Sequence, residues 1–269
     1  MSDPLENLPQ RLRVACRAVG RAGLSHAYGH CSARVDGLEF LVSPAKPLGL
    51  VTDDDAPVPV RADEPLPKGA LPEVRMHQQI YRARPDVGGI VRFQSPKLMS
   101  LSTMGRTPQA RHGLGTYFAP QPPLWPNPRL VRDDEIAVVV ARTLGAARAI
   151  VLRGNGAIAV GRSIEEATVM AWFLEDAARV ELDVLAAGGD GWVYDAAESA
   201  DRAVTTGNLL ERMWEWLVAA DPAATAMPSL PALGPQPVPH PSESRSFGAG
   251  AAAVNGGSRA GQGPVSPTR

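Results

Sequence analysis

The sequence predicts an α/β fold built on one sheet rich in antiparallel pairs and flanked by helices. Three observations carry this. Helical and extended patterns alternate along the chain up to Pro222. Asp36-Gly37 lies between two short strand-like runs, a signal for a tight β-hairpin turn. Gly154-Asn155-Gly156 joins two further apolar runs, and paired strands there argue against a purely parallel sheet.

Each element has its own signal. Residues 8–24 place Leu12, Cys16, Val19 and Ala22 on one helix face, and Gly23 marks the end. Tyr28-Gly29-His30-Cys31-Ser32-Ala33-Arg34-Val35 reads as a glycine turn leading into a strand, and residues 38–42 as its partner, closed by Ser43-Pro44. The Pro- and Asp-rich segment 47–67 is irregular, with room for a short strand at 58–60. Pro72 in the first turn, with Glu73 beside it, starts a helix that runs to Arg84 and is broken by Pro85-Asp86. Glu73 and His77 are four apart and share a face. A strand over 88–94 and a helix over 95–104 follow, then loop from 106 to 128, a stretch with six prolines. Asp133 caps a helix to Leu144. Strands at 149–152 and 157–160 precede a helix from Ser163 to Ala187. Residues 192–194 are extended, and a last helix spans 196–219.

From Pro222 to Arg269 Pro, Ala, Gly and Ser dominate. So few large apolar side chains cannot offset the entropy of ordering. One domain over residues 1–221 followed by a disordered tail over 222–269 is therefore expected. The chain is 44% hydrophobic and 20% charged, a globular balance. A formal net charge of −1 offers no basic face for nucleic acid. No apolar run approaches the roughly 20 residues of a membrane span. The first residues lack the basic start and apolar core of a signal peptide. Cys16 and Cys31 read as small buried residues in a reducing cytoplasm. A cytoplasmic protein without nucleic-acid or membrane partners is the expectation.

In the strand 88–94, Arg92 and Gln94 are two residues apart and point the same way beside apolar Ile90, Val91 and Phe93. Such a pair needs partners, water or a ligand. Taken in order, several motifs surround it: Gly29-x-x-Ser32-Ala33-Arg34, Leu41-Val42-Ser43-Pro44, Glu73 with His77, the run 81–87 before the strand that ends at Ser95-Pro96, Leu152-Arg153-Gly154-Asn155-Gly156, and Val160-Gly161-Arg162-Ser163 with Glu165-Glu166-Ala167. Together they resemble the class II aldolase/adducin family, the fold of fuculose-phosphate aldolase, over residues 8–189. The Gly-His before Ser32 and the Tyr194 region look closest to members that act as decarboxylases or unassigned lyases.

The resemblance implies a three-layer α/β/α sandwich with a largely antiparallel sheet. It also implies a homotetramer with sites at subunit interfaces and a small-molecule substrate. Family members hold zinc or a similar divalent ion through a His-x-His pair on the strand and a third His in the turn. The metal stabilises an enediolate while a Glu matching Glu73 moves protons. Here Arg92 and Gln94 stand at the His-x-His positions and Asn155 at the third. A guanidinium has no lone pair to give a metal, and Gln and Asn offer only weak carbonyl oxygens. No family-type metal and no other cofactor are therefore expected, although a relocated site using His30 or His112 stays open.

The leading reading is a metal-independent lyase or isomerase acting on a small carbonyl or carboxylate compound through an enolate-type intermediate. Arg92 would hold the anion or enolate, Glu73 would act as general acid/base, and Gln94 and Asn155 would orient the substrate. His30, Ser32, Ser43 and Lys46 match positions near the family's anion-binding region, with His30 where an Asn is usual. His112 and Tyr117 lie on the loop-rich stretch, where functional residues often sit. Two alternatives remain: a non-catalytic scaffold in which Glu73 neutralises Arg92, and a metal-dependent aldolase or decarboxylase with substitute ligands. An enzyme should instead show Arg92 facing an open cleft.

Overall fold

A computed structural model of the chain describes residues 7–224; the tail expected from residue 222 lies outside the described residues from 225 onward. The helices are α1 (Leu8–Arg21), α2 (Arg75–Ala83), α3 (Pro96–Thr103), α4 (Asp134–Leu144), α5 (Ile164–Ala186), α6 (Ala196–Arg202) and α7 (Leu209–Val218). The strands are β1 (His30–Asp36), β2 (Glu39–Val42), β3 (Val58–Arg61), β4 (Gly89–Phe93), β5 (Leu124–Trp125), β6 (Ala149–Leu152) and β7 (Ala157–Gly161). They form one sheet in the order β3-β2-β1-β4-β7-β6-β5. Every neighbouring pair is antiparallel except β5 beside β6. The expected α/β/α sandwich with a largely antiparallel sheet is what forms. No helix among the described residues is long and apolar enough to cross a membrane.

Side-chain alternation along the strands divides the interior into two cores. Cys31, Ala33, Val91, Phe93, Ala157 and Ala159 pack with α1, α5 and α7 on one face. Phe40, Val42, Ile90, Ile150, Ile158 and Val160 pack with α2 and α4 on the other. Arg92 shares parity with Ile90, and His30 and Ser32 alternate with Cys31 and Ala33. All three polar residues therefore lie on the α2/α4 face. The start of α5 presses directly on β4: a Cβ on Gly88 would stand 2.0 Å from the Arg162 carbonyl oxygen, and one on Gly89 2.4 Å from the Ser163 oxygen. The expected caps are present, with Asp133 accepting from the Ile136 amide and Ser163 from the Glu166 amide.

Two elements differ from the sequence reading. The 196–219 helix is broken into α6 and α7. The β-branched run Val204-Thr205-Thr206, then Gly207 at φ 77° and Asn208 at φ 58°, cannot continue a right-handed helix. The proline-rich loop contributes the short strand β5, whose pairing with β6 is set by tertiary contact and carries no signal in two residues.

The turn between β6 and β7 sits against the end of β4. At Gly156, φ is 81° and a Cβ would lie 2.0 Å from the Phe93 carbonyl oxygen; at Gly154, φ is 65° with nothing within 4 Å. Gly154→Ala should therefore cost only the left-handed strain, about 1–2 kcal/mol. Gly156→Ala should cost more, because the β4 backbone must also move. Urea unfolding of the two variants checks that order.

Candidate active site

Arg92, Gln94 and Asn155 meet at one atom. Arg92 Nη2 donates to Asn155 Oδ1 at 2.9 Å and to the Asn155 carbonyl oxygen at 3.3 Å. Gln94 Nε2 donates to the same Oδ1 at 2.6 Å. The turn holds Asn155 there through its own amide, which donates to the Leu152 carbonyl at 2.9 Å, and through the Gly154 amide, which donates to Ser102 Oγ at 3.0 Å. Arg92 is only 5% exposed, and its Nε has no partner among the described residues. Burial lowers its pKa to about 10, opposed by the negative field of Glu73, so it stays a cation at neutral pH.

Glu73 lies on the short 3₁₀ turn Pro72–Val74 that leads into α2. Its Oε1 accepts from Arg132 Nε at 2.8 Å. The neutralising Glu73–Arg92 pair of the scaffold reading is therefore not formed. Nor does Arg92 present an exposed guanidinium, the residue being only 5% exposed. A cavity of about 470 Å³ lies at the opposite end of β4, lined by Arg34, Asp86, Gly88 and Arg162 among others.

Behind Arg92 runs a buried hydrogen-bonded chain. His30 pairs with Arg92 in the β1–β4 register. His30 Nδ1 lies 2.8 Å from His77 Nε2, His77 Nδ1 lies 2.6 Å from Ser32 Oγ, and Ser32 Oγ lies 2.9 Å from the Tyr81 hydroxyl. Burial, then the neighbouring His77 and Arg92 charges, hold His30 well below its ordinary pKa. Burial and then Arg92 lower His77 to about 3. Burial raises Tyr81. Arg34 fixes the tyrosine from outside: its guanidinium lies 4.5 Å from the ring centroid and donates to the Tyr81 and Arg84 carbonyls at the end of α2.

The structure gathers Arg92, Gln94, Asn155, His30 and Ser32 in this way, with Glu73 near enough to act on Arg92. The remaining expected residues lie apart. Ser43 Oγ accepts from the Cys31 amide at 3.2 Å, and Lys46 pairs with Asp55 at 2.8 Å. Tyr117 belongs to the opposite core, packed on Phe173, with its hydroxyl donating to the Val204 carbonyl. His112 Nε2 faces Asp176 of α5 at 3.7 Å. Within one chain these last two are across the sheet from Arg92. His77 and Tyr81 were not among the expected site residues. Their signal is a pair of facing stripes: His30 and Ser32 two apart on a strand, and Glu73, His77 and Tyr81 four apart through a helix.

The residues at the family's metal positions do not fit a zinc site. They supply a cation and two amides that already bond one another. Among the described residues no three His, Cys, Asp or Glu side chains are placed to hold a metal ion.

Comparison with known proteins bears on the chain as a whole. The family described as Class II Aldolase and Adducin N-terminal domain matches residues 10–182. A 3,4-dihydroxyphthalate decarboxylase of Terrabacter sp. is 28% identical over 201 residues, covering 67% of this chain and 82% of that protein. One of Arthrobacter keyseri is 26% identical over 199 residues, covering 67% and 79%. Among solved structures, an L-fuculose-1-phosphate aldolase of Thermus thermophilus is 26% identical with a TM-score of 0.62, covering 70% of this chain and all of the other. An aldolase II superfamily protein of Pseudomonas syringae has a TM-score of 0.70 at 19% identity, covering 82% and 94%.

The depressed histidines make stability depend on pH. Both rings are neutral when folded and take up protons near 6.5 when unfolded, so the unfolded state binds more protons as pH falls through that value. Their contribution is complete above about pH 7 and declines below about 6.5, before most carboxylates titrate. Urea midpoints should fall between about pH 6.5 and 5, and less so in His77→Gln than in the wild type.

Proposed function

The chain belongs to the class II aldolase and adducin family, and from that premise we propose that it is a carbon–carbon lyase of the decarboxylase kind acting on a small hydroxylated carboxylate. The observation that carries the reading is Arg92, a buried cation with no ion-pair partner among the described residues and an unpartnered Nε. A charge in that setting is costly unless an anion joins it. The curated relatives support the choice of reaction, since three of them are named 3,4-dihydroxyphthalate decarboxylases. A small aromatic carboxylate bearing hydroxyl groups is the substrate class.

In such a reaction on a hydroxylated ring, the carbon that bears the carboxylate first takes up a proton, with the negative charge of the phenolate drawn into the ring to give a keto form. The bond to the carboxylate then breaks, CO2 leaves, and the electron pair returns through the ring to the oxygen as an enolate-type anion. Arg92 stabilises that charge as it develops. Asn155 holds one end of the guanidinium, Gln94 steadies Asn155, and both would orient the substrate. Glu73 would be the general acid/base that passes this proton to the carbon. No step passes through a metal, because the donor set does not fit one. Neither mark set out from the sequence forms: Glu73 pairs with Arg132 where the scaffold reading expected Arg92, and Arg92 is only 5% exposed where the enzyme reading expected it to face an open cleft. A cytoplasmic homo-oligomer, tetrameric by resemblance, completes the proposal.

Decarboxylation of dihydroxyphthalates and related hydroxybenzoates, followed by CO2 release, is the assay. Arg92→Ala should lower kcat/KM by about 10²–10³, and Glu73→Gln should lower kcat with little change in KM. Unchanged turnover in both variants removes the assignment. The rate should also survive dialysis against EDTA. Stoichiometric zinc, iron or manganese in the active protein, with loss of activity on its removal, would overturn the metal-independent part.

A further inference from the structure

Among the described residues, His30 Nε2 and Arg92 Nε are two of the buried nitrogens without a partner, the Trp125 indole nitrogen being another packed on the same core. The first two belong to cross-strand neighbours in the β1–β4 register. Their side chains leave the sheet on the same face from Cβ atoms about 5 Å apart. Both residues are more than nine-tenths buried, with His30 only 3% exposed. A buried polar atom left unpaired is costly. Two of them at paired positions of one face would both be satisfied by a single polar group from outside the chain.

What His30 presents there follows from the groups behind it. The Tyr81 hydroxyl has one hydrogen and one protein partner, Ser32 Oγ. The buried phenol keeps that hydrogen and must donate it to Ser32. Ser32 then gives its own hydrogen to its other partner, His77 Nδ1. An accepting Nδ1 leaves the neutral His77 ring with its hydrogen on Nε2, which is donated to His30 Nδ1. His30 in turn carries its hydrogen on Nε2. The opposite polarity would leave the Tyr81 hydrogen buried without an acceptor.

Building on the reading that this site takes an anion, we propose that His30 Nε2–H and Arg92 Nε–H together bind the oxygens of one carboxylate or enolate of the substrate. Tyr81, Ser32 and His77 are then positioning residues that fix His30 as a neutral donor. The imidazole is not the base of the reaction. It supplies a second donor beside a fixed charge, and the pair places two N–H groups where negative charge develops.

The test is nitrogen NMR of the full-length protein labelled in its histidine rings, with phthalate as the probe. Both rings should be neutral with the hydrogen on Nε2, and the His30 Nε2–H signal should move as phthalate saturates. A His30 hydrogen on Nδ1, or a His30 signal that phthalate leaves in place, overturns the proposal. Tyr81→Phe removes the donor that sets the direction. It should give mixed His30 tautomers and about tenfold weaker phthalate binding. An unchanged tautomer in that variant also overturns it. Arg92-dependent decarboxylation with His30 protonated at Nδ1 would defeat this inference and leave the proposed function standing. Phthalate seated on His30 Nε2–H without any decarboxylation would do the reverse.

Discussion

The buried charge of Arg92 is the constraint to which the rest of the α2/α4 face answers. A guanidinium taken out of water loses several kcal/mol of hydration, and an opposite charge usually compensates. Here the compensation is polar but uncharged: the carbonyl and side-chain oxygens of Asn155 accept from one end of the fork, and Glu73 contributes only through its field. This arrangement depends on the turn that carries Asn155. Only a residue without Cβ at position 156 lets that turn close against the β4 backbone. The glycines, the amides and the cation are therefore one unit.

The two faces of the sheet divide the work. The α5 face is largely small and apolar where it meets the strands, and its buried carboxylates are matched by arginines: Arg11 with Glu165, Arg148 and Arg162 with Glu166, Arg111 with Glu181. The α2 face carries a buried cation without such a match and a run of four hydrogen-bonded polar groups beside it. Packing and ion pairing hold the scaffold on one side, which leaves the other free to tolerate partly satisfied polar groups. Local frustration of this kind is expected where a fold carries a site.

Much of the fold was legible because its signals are local. The Asp36-Gly37 hairpin, the Asp133 and Ser163 caps and the glycine turn at 154–156 act through backbone chemistry that a few residues specify. β5 was not legible, since two residues in a proline-rich loop form a strand only because β6 lies beside them. Arg92, Gln94 and Asn155 could be found from parity and from the family's order of motifs. His77 and Tyr81 could not be assigned, because a polar residue on a helix facing a sheet reads equally as packing. His112 and Tyr117 were placed by loop position, and a loop's position along the chain does not say which layer it covers. The α5 side chains that hold them, Asp176 and Phe173, come from a helix more than 50 residues later.

The identity of the group at the metal position limits the chemistry that can be proposed. A divalent metal does two things for an aldolase: it stabilises an enediolate, and it makes a bound hydroxyl more acidic. A guanidinium can do the first, as a fixed charge with directed N–H groups, but it cannot coordinate oxygen and acidify it. Aldol cleavage needs a hydroxyl proton removed as the carbon–carbon bond breaks, so on the proposed reading it lacks an essential element with Arg92 and Gln94 at the expected His-x-His positions. Decarboxylation begins from a carboxylate that is already deprotonated and needs only a sink for the electron pair and a proton for the carbon. The substrate's own ring or carbonyl is that sink; on the proposed reading Arg92 and the His30 donor stabilise the charge that gathers there, and Glu73 handles the proton. On the proposed reading, Arg92, Gln94 and Asn155 at the expected metal positions therefore bear on the reaction and favour loss of CO2 over cleavage of an aldol.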